Sequence, residues 1–96
     1  MLIWTKIMLE ECNIQITNKL GLHVRPAAQL AEIAAKYQSQ ITITQNSKSV
    51  NGKSIIELLT LGAGQGTLLS IKGEGDDALK AVAEIKQLIT NKFGEE

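Results

Sequence analysis

The stretch "SQITITQNSKSVN", residues 39–51, alternates apolar and polar side chains on both sides of a two-residue break. Ile41 and Ile43 fall on one face of an extended chain and Thr42 and Thr44 on the other. That is the period-two pattern of a half-buried strand. Asn46 and Ser47 make a tight turn into a shorter strand, "KSVN". A hairpin therefore sits mid-chain. Upstream, "ECNIQIT" (residues 11–17) sets Cys12, Ile14 and Ile16 against Asn13, Gln15 and Thr17, a second half-buried strand. Downstream, "TLLSIKG" (residues 67–73) is the last strand.

Helical patterns separate these strands. From Val24 to about Tyr37, apolar Ala27, Leu30, Ala31, Ala34 and Tyr37 recur at helical spacing. Pro26 is compatible with this helix only in its first turn, where backbone donors lack helical partners anyway. "SIIELLTL", from Ser54 to about Leu61, is a short helix with Ser54 and Glu57 in capping-box spacing and Gly62 as its stop. Ile55, Leu58 and Leu59 are expected to face the core, which leaves Ile56 projecting outward. Asp76 and Asp77 open a final helix with the stripe Ala78, Val82, Ile85 and Ile89, ending near Lys92 and Gly94. The order is β-α-β-β-α-β-α. Elements of this kind pack as an α+β fold, one four-stranded antiparallel sheet with three helices on one face. The uncovered face is expected to carry Thr17, Thr42 and Thr44.

At 96 residues there is room for one core. Residues 10–96 are expected to form that single domain. "MLIWTKIML", residues 1–9, is an N-terminal extension, disordered or loosely packed, and Met8 is an alternative start. It is too short to span a bilayer and lacks the basic start and cleavage site of a signal peptide. Ten basic and ten acidic residues cancel, which argues against a protein that binds nucleic acid by counterion release. An RNA-recognition module needs sheet aromatics and basic surface; the single Trp, Tyr and Phe all lie outside the expected strands. One cysteine, Cys12, excludes an internal disulfide and fits a reducing, cytoplasmic setting. Its alternation with Ile14 and Ile16 marks it as a buried, unreactive thiol. "GAGQG", residues 62–66, follows a helix and precedes a strand, the reverse of a phosphate-cradling loop. No cofactor and no metal site is expected.

The rarest polar residues are concentrated in "GLHVRPAA", residues 21–28, which holds the only histidine, arginine and proline. His23 falls at a helix start, where unpaired N–H groups and the macrodipole favour an anion. Arg25 adds a guanidinium fork suited to phosphate oxygens. A neutral imidazole nitrogen there is a nucleophile able to accept a phosphoryl group. A single histidine at a helix start is more often a cap or a solvated residue. The grouping of Gly, His, Arg and Pro shifts that balance toward chemistry. The motif holds no second nucleophile and no carboxylate to pair with His23, so a histidine-based hydrolase has no support in it.

"GLHVRPAA" resembles the active-site signature of the HPr family, the histidine phosphocarriers of the phosphoenolpyruvate-dependent phosphotransferase system. "VNGKSIIELLTLGAGQGT" (residues 50–67) is similar to that family's second functional segment, and the similarity extends over about Glu11 to Phe93. The resemblance implies an open-faced β-sandwich and a phosphoryl carrier rather than an enzyme. It makes His23 the residue phosphorylated on Nδ1 by enzyme I and discharged to a histidine of an enzyme IIA domain, with Arg25 steadying the phosphoryl group. Ser54 corresponds to the serine phosphorylated by HPr kinase/phosphorylase, and Val24, Ile55, Ile56 and Leu59 to the partner-docking surface. A monomer without membrane insertion or nucleic-acid partner is implied. Leu20 and Glu57 are closer to NPr, the nitrogen-branch paralogue with a mainly regulatory role. "VNGKSI" is closer to the kinase-recognised segment of the sugar-type proteins. The two branches stay open on these residues.

Overall fold

A computed structural model describes residues 8–95. Four strands, β1 (Leu9–Gln15), β2 (Gln40–Gln45), β3 (Lys48–Asn51) and β4 (Leu68–Glu74), form one antiparallel sheet in the spatial order β1-β4-β2-β3. Three helices, α1 (Val24–Ala35), α2 (Ile55–Leu59) and α3 (Ala78–Thr90), cover one face of it. The register explains the alternation in the sequence. Ile71 in β4 lies opposite Cys12 of β1 and Ile43 of β2, and Ile43 in turn faces Val50 of β3. This row crosses the inner face, so each of those positions needs an apolar side chain. Thr42 and Thr44 occupy the uncovered face as expected, where the Thr44 and Ser49 hydroxyls lie 2.8 Å apart, whereas Thr17 lies beyond the end of β1.

β1 begins earlier than its apolar alternation suggests. Leu9 pairs with Glu74, and the Gly75 N–H donates to the Met8 carbonyl at 2.9 Å. Leu9 therefore belongs to the sheet rather than to an extension, with Met8 bonded at its edge. The period-two signal misses them because exposed Leu9 breaks the alternation on the solvent side. The rest of the expected extension, residues 1–7, lies outside the described residues. Cys12 is half-buried rather than buried, and that partial burial pushes its thiol above its ordinary value.

α3 lies across the sheet with Ala78, Ala81, Val82, Ile85 and Ile89 inward. A Cβ on Gly73 would stand 3.0 Å from Val82 Cγ2, so the bare backbone of β4 lets the helix approach closely. Asp77 occupies the N-cap position of α3 without capping it. Its carboxylate instead accepts the Gln38 and Ser39 backbone N–H groups, each at 2.9 Å, and the Ser39 hydroxyl. Asp77 thus pins the connection leaving α1 to the start of α3. Glu84, about two turns further along α3, accepts from Lys36 at 2.6 Å and from the Tyr37 hydroxyl. Each large aliphatic side chain buried between sheet and helices contributes about 1.5–3 kcal/mol.

Candidate functional site

The start of α1 is shaped from below. Gly21 has φ +67, and its carbonyl accepts a hydrogen bond from the buried Asn18 Nδ2 at 2.8 Å. Leu22 donates to the Ala63 carbonyl at 2.8 Å, which seats this loop on residues 63–64. His23 follows as the N-cap residue, extended at φ −85 and ψ −168, and its side chain makes no capping bond. The capping explanation of this histidine is thereby removed. Ala27 N–H donates to the His23 carbonyl at 2.9 Å, and Pro26 has no N–H to offer. The N–H groups of Val24 and Arg25 have no acceptor among the described residues. Two open donors and the positive end of a twelve-residue helix therefore converge beside His23.

The imidazole is held from one side only. Nε2 lies 2.9 Å from Oε2 and 3.2 Å from Oε1 of Glu95. Nδ1 has no protein partner among the described residues, and the His23 side chain is 36% exposed. With Nε2–H donating to the carboxylate, the Nδ1 lone pair is left for chemistry. The motif itself holds no carboxylate for His23, and the partner comes from outside it. Asn18 Nδ2 also donates to Glu95 Oε1 at 3.0 Å. The Asn18 hydrogen bond, the His23 hydrogen bond and the nearby Arg25 charge hold the Glu95 carboxyl below the usual carboxylate range, against an opposing effect of desolvation.

A left-handed turn brings Glu95 to this place. Lys92, Phe93 and Gly94 have φ of 58, 55 and 75, following directly on α3. A non-glycine residue in this conformation costs about 1–2 kcal/mol. Lys92 and Phe93 both bear this cost, and Phe93, 1% exposed, offsets part of it by burying its ring. The bonds from Asn18 and His23 hold the Glu95 carboxylate at the end of this turn.

Arg25 is exposed and makes no hydrogen bond or ion pair among the described residues. It lines an open groove with Gln29, Glu32, Lys53 and Ile55, between the starts of α1 and α2. Ser54 caps α2, its Oγ accepting from the Glu57 N–H at 3.2 Å. The reciprocal arm of the expected capping box is absent. Glu57 reaches the Asn51 N–H at 2.9 Å, because the Ser54 N–H is already given to the Asn51 carbonyl at 3.1 Å.

The apolar residues around this end are uneven in exposure. Val24 is 63% and Ile56 78% exposed, and Leu20 stands out similarly. Ile55, expected in the core, is 41% exposed: α2 is too short to turn more than Leu58 fully inward. Leu59 is half-buried against the core. Sequence reasoning named His23, Val24, Arg25, Ser54, Ile55, Ile56 and Leu59 but missed Asn18 and Glu95. Asn18 had one signal, a polar residue breaking a strand pattern. Glu95 had none. Among the described residues no cluster of three or more His, Cys, Asp or Glu side chains is placed for a metal. No helix among them is long and apolar enough to cross a membrane.

The profile described as "PTS HPr component phosphorylation site" matches residues 10–91. The chain belongs to the HPr family. Phosphocarrier protein HPr of Buchnera aphidicola is 44% identical over 77 residues, 80% of this chain and 91% of that protein. The HPr of Xylella fastidiosa is 38% identical over 89 residues, covering 93% and 99% of the two chains. A crystal structure of HPr from Thermoanaerobacter tengcongensis superposes with a TM-score of 0.87 at 45% identity, covering 91% and 98%. An HPr is a phosphocarrier of the phosphotransferase system, not an enzyme with a turnover of its own. The HPr names of these relatives do not favour the nitrogen-branch reading of Leu20 and Glu57.

Proposed function

We propose that His23 accepts a phosphoryl group on Nδ1 from the phosphohistidine of enzyme I and passes it to a histidine of an enzyme IIA. One observation carries this: Nε2 is tied to Glu95 while Nδ1 has no protein partner among the described residues, at the N-cap of a helix whose Val24 and Arg25 N–H groups are free. A dianionic phosphoimidazole formed there meets two backbone donors, a helix N-terminus and the uncommitted guanidinium of Arg25. Both substrates are proteins, so the shallow, exposed site suits the task. Val24, Ile55 and Ile56, with the edge of Leu59, form the apolar rim that docks them.

Incubation with phosphoenolpyruvate and enzyme I adds one acid-labile phosphate, and His23→Ala abolishes it. Full labelling of His23→Ala overturns the assignment. Arg25→Ala slows transfer and leaves the fold intact.

Ser54 is the regulatory site in this reading, phosphorylated by HPr kinase/phosphorylase where that enzyme is present. Its hydroxyl sits at a helix start, where added phosphate is tolerated and bears on docking rather than folding. Acid-stable phosphate after treatment with ATP and the kinase is the expected result; none with active kinase leaves Ser54 only its cap. The described residues, from β1 onward, act as one domain, a cytoplasmic monomer in the sugar-uptake branch, and the whole site comes from one chain.

A further inference from the structure

We infer that Lys53 is a positioning residue for docking, its ammonium fastening the start of α2 to the end of α1 and so setting the groove that receives enzyme I. The inference rests on the reading of that face as the docking surface. Lys53 Nζ donates to the Tyr37 carbonyl at 2.7 Å in a part-buried setting. Tyr37 lies one residue past Lys36, the C-cap of α1, where helix carbonyls lack donors and the dipole favours a cation. The other end of Lys53 is fixed as well, its backbone N–H donating to Asn51 Oδ1 at 2.9 Å. Ser54, the next residue, caps α2. A lysine held at both ends therefore fixes where α2 begins.

The far end of this tether does not move freely. Asp77 accepts the Gln38 and Ser39 N–H groups and Glu84 accepts the Tyr37 hydroxyl, so the carbonyl that Lys53 grips is already pinned to α3. α2 needs such a tether. It has five residues, of which only Leu58 is buried, so the core by itself does little to place it. Ile55 and Ile56, exposed on the docking rim, follow Lys53 by two and three positions and take their place from it. The Lys53 side chain also borders two open clefts, one shared with Arg25 and Ile55, the other with Gln38 and Glu57. Its charge is spent on the Tyr37 carbonyl. Arg25 is thus left, among the described residues, as the cation of the first cleft without a protein partner.

The test uses the full chain as wild type, Lys53→Met, Lys53→Arg and Ile56→Asp. Transfer from phosphoenolpyruvate through enzyme I is followed at varied carrier concentration, and 15N amide shifts of the free proteins report where α2 sits. Lys53→Met, which keeps the stem but not the bond, is expected to raise the half-saturating concentration about ten-fold with the maximal rate unchanged. Its shift changes gather at residues 37–38 and 53–59, and the rest of the spectrum stays as in wild type. Lys53→Arg, which keeps a cationic donor, recovers most of the loss. Unchanged half-saturation in Lys53→Met overturns the inference, and so does a fall confined to the maximal rate. A raised half-saturating concentration with the α2 shifts unmoved also overturns it, since Lys53 then touches the partner directly. Wild-type half-saturation in Ile56→Asp as well means that the docking face itself is misassigned. A weakened Ile56→Asp beside a normal Lys53→Met sinks only the role of Lys53.

Discussion

The Ala63 carbonyl oxygen lies directly over the Cα of Gly21, in the space where any side chain would have to begin. Gly21 also has φ +67, a conformation other residues adopt only at a cost. The two demands are independent, and both concern the residue that aims His23. Gly21→Ala is expected to lower stability by about 2–4 kcal/mol, read by urea unfolding. The Asn18–Gly21 and Leu22–Ala63 bonds loosen with it, so phosphoryl transfer falls even where the protein remains folded.

Asn18 tests the same end of the molecule by charge instead of shape. Its Nδ2 donates to Gly21 and Glu95 while the side chain is fully buried. Asn18→Asp removes both donations and buries a carboxylate 3.0 Å from another. Loss of about 2–3 kcal/mol is expected near neutral pH, with partial recovery in acid as the new carboxyl takes a proton. Unchanged stability across that range would show the amide to be dispensable.

At α2 the capping role of Ser54 can be tested apart from the proposed regulatory one. Ser54→Ala loses only the bond to the Glu57 N–H and should cost about 1 kcal/mol. Transfer through His23 should continue at close to its normal rate. Glu57→Gln keeps an acceptor for the Asn51 N–H and should be nearly neutral in stability, measured in the same unfolding series.

Among the described residues Ile56 is the most exposed large apolar side chain, at 78%, so it contributes almost nothing to the core. Ile56→Asp should change stability by no more than about 0.5 kcal/mol. Transfer from enzyme I should nevertheless slow several-fold, through a higher half-saturating concentration of the carrier. Wild-type kinetics for this variant would remove Ile56 from the docking rim.

The parts of this molecule that were legible in the sequence are those governed by short periods. Ile41, Ile43, Cys12 and Ile14 announce strands because a sheet imposes a two-residue repeat on any half-buried chain. The long stripes of α1 and α3 are equally plain. Ile55 was misplaced because five residues of α2 make too little of a helix to define an inner face. Asp77 reads as a cap from its position, yet the two backbone donors of Gln38 and Ser39 offer it more than its own helix does. The motif around His23 was visible, and its counterpart was not: Glu95 lies 72 residues away, and that contact exists only once the sheet has closed.

Acid should expose these carboxylate anchors together. The Ser39 hydroxyl and the Gln38 and Ser39 backbone donors hold the Asp77 carboxyl below its ordinary range. Lys36, then Tyr37, does the same for Glu84, and Asn18 for Glu95. In each case the unfolded chain takes up a proton at a higher pH than the folded one, so stability is present above the ordinary carboxylate range, about pH 4. It declines as pH falls through the lower folded values. Tyr37 has the opposite sign. Its hydroxyl, donated to Glu84, is raised above its ordinary value, so its contribution is complete below about pH 10 and lost above that. Urea midpoints should therefore be flat near neutrality and fall at both extremes. Asp77→Asn should flatten the acid limb while lowering the plateau, because the amide can accept one backbone N–H but no longer titrates. An acid limb as steep as that of the wild type would mean that the pin between α1 and α3 does not depend on the charge of Asp77.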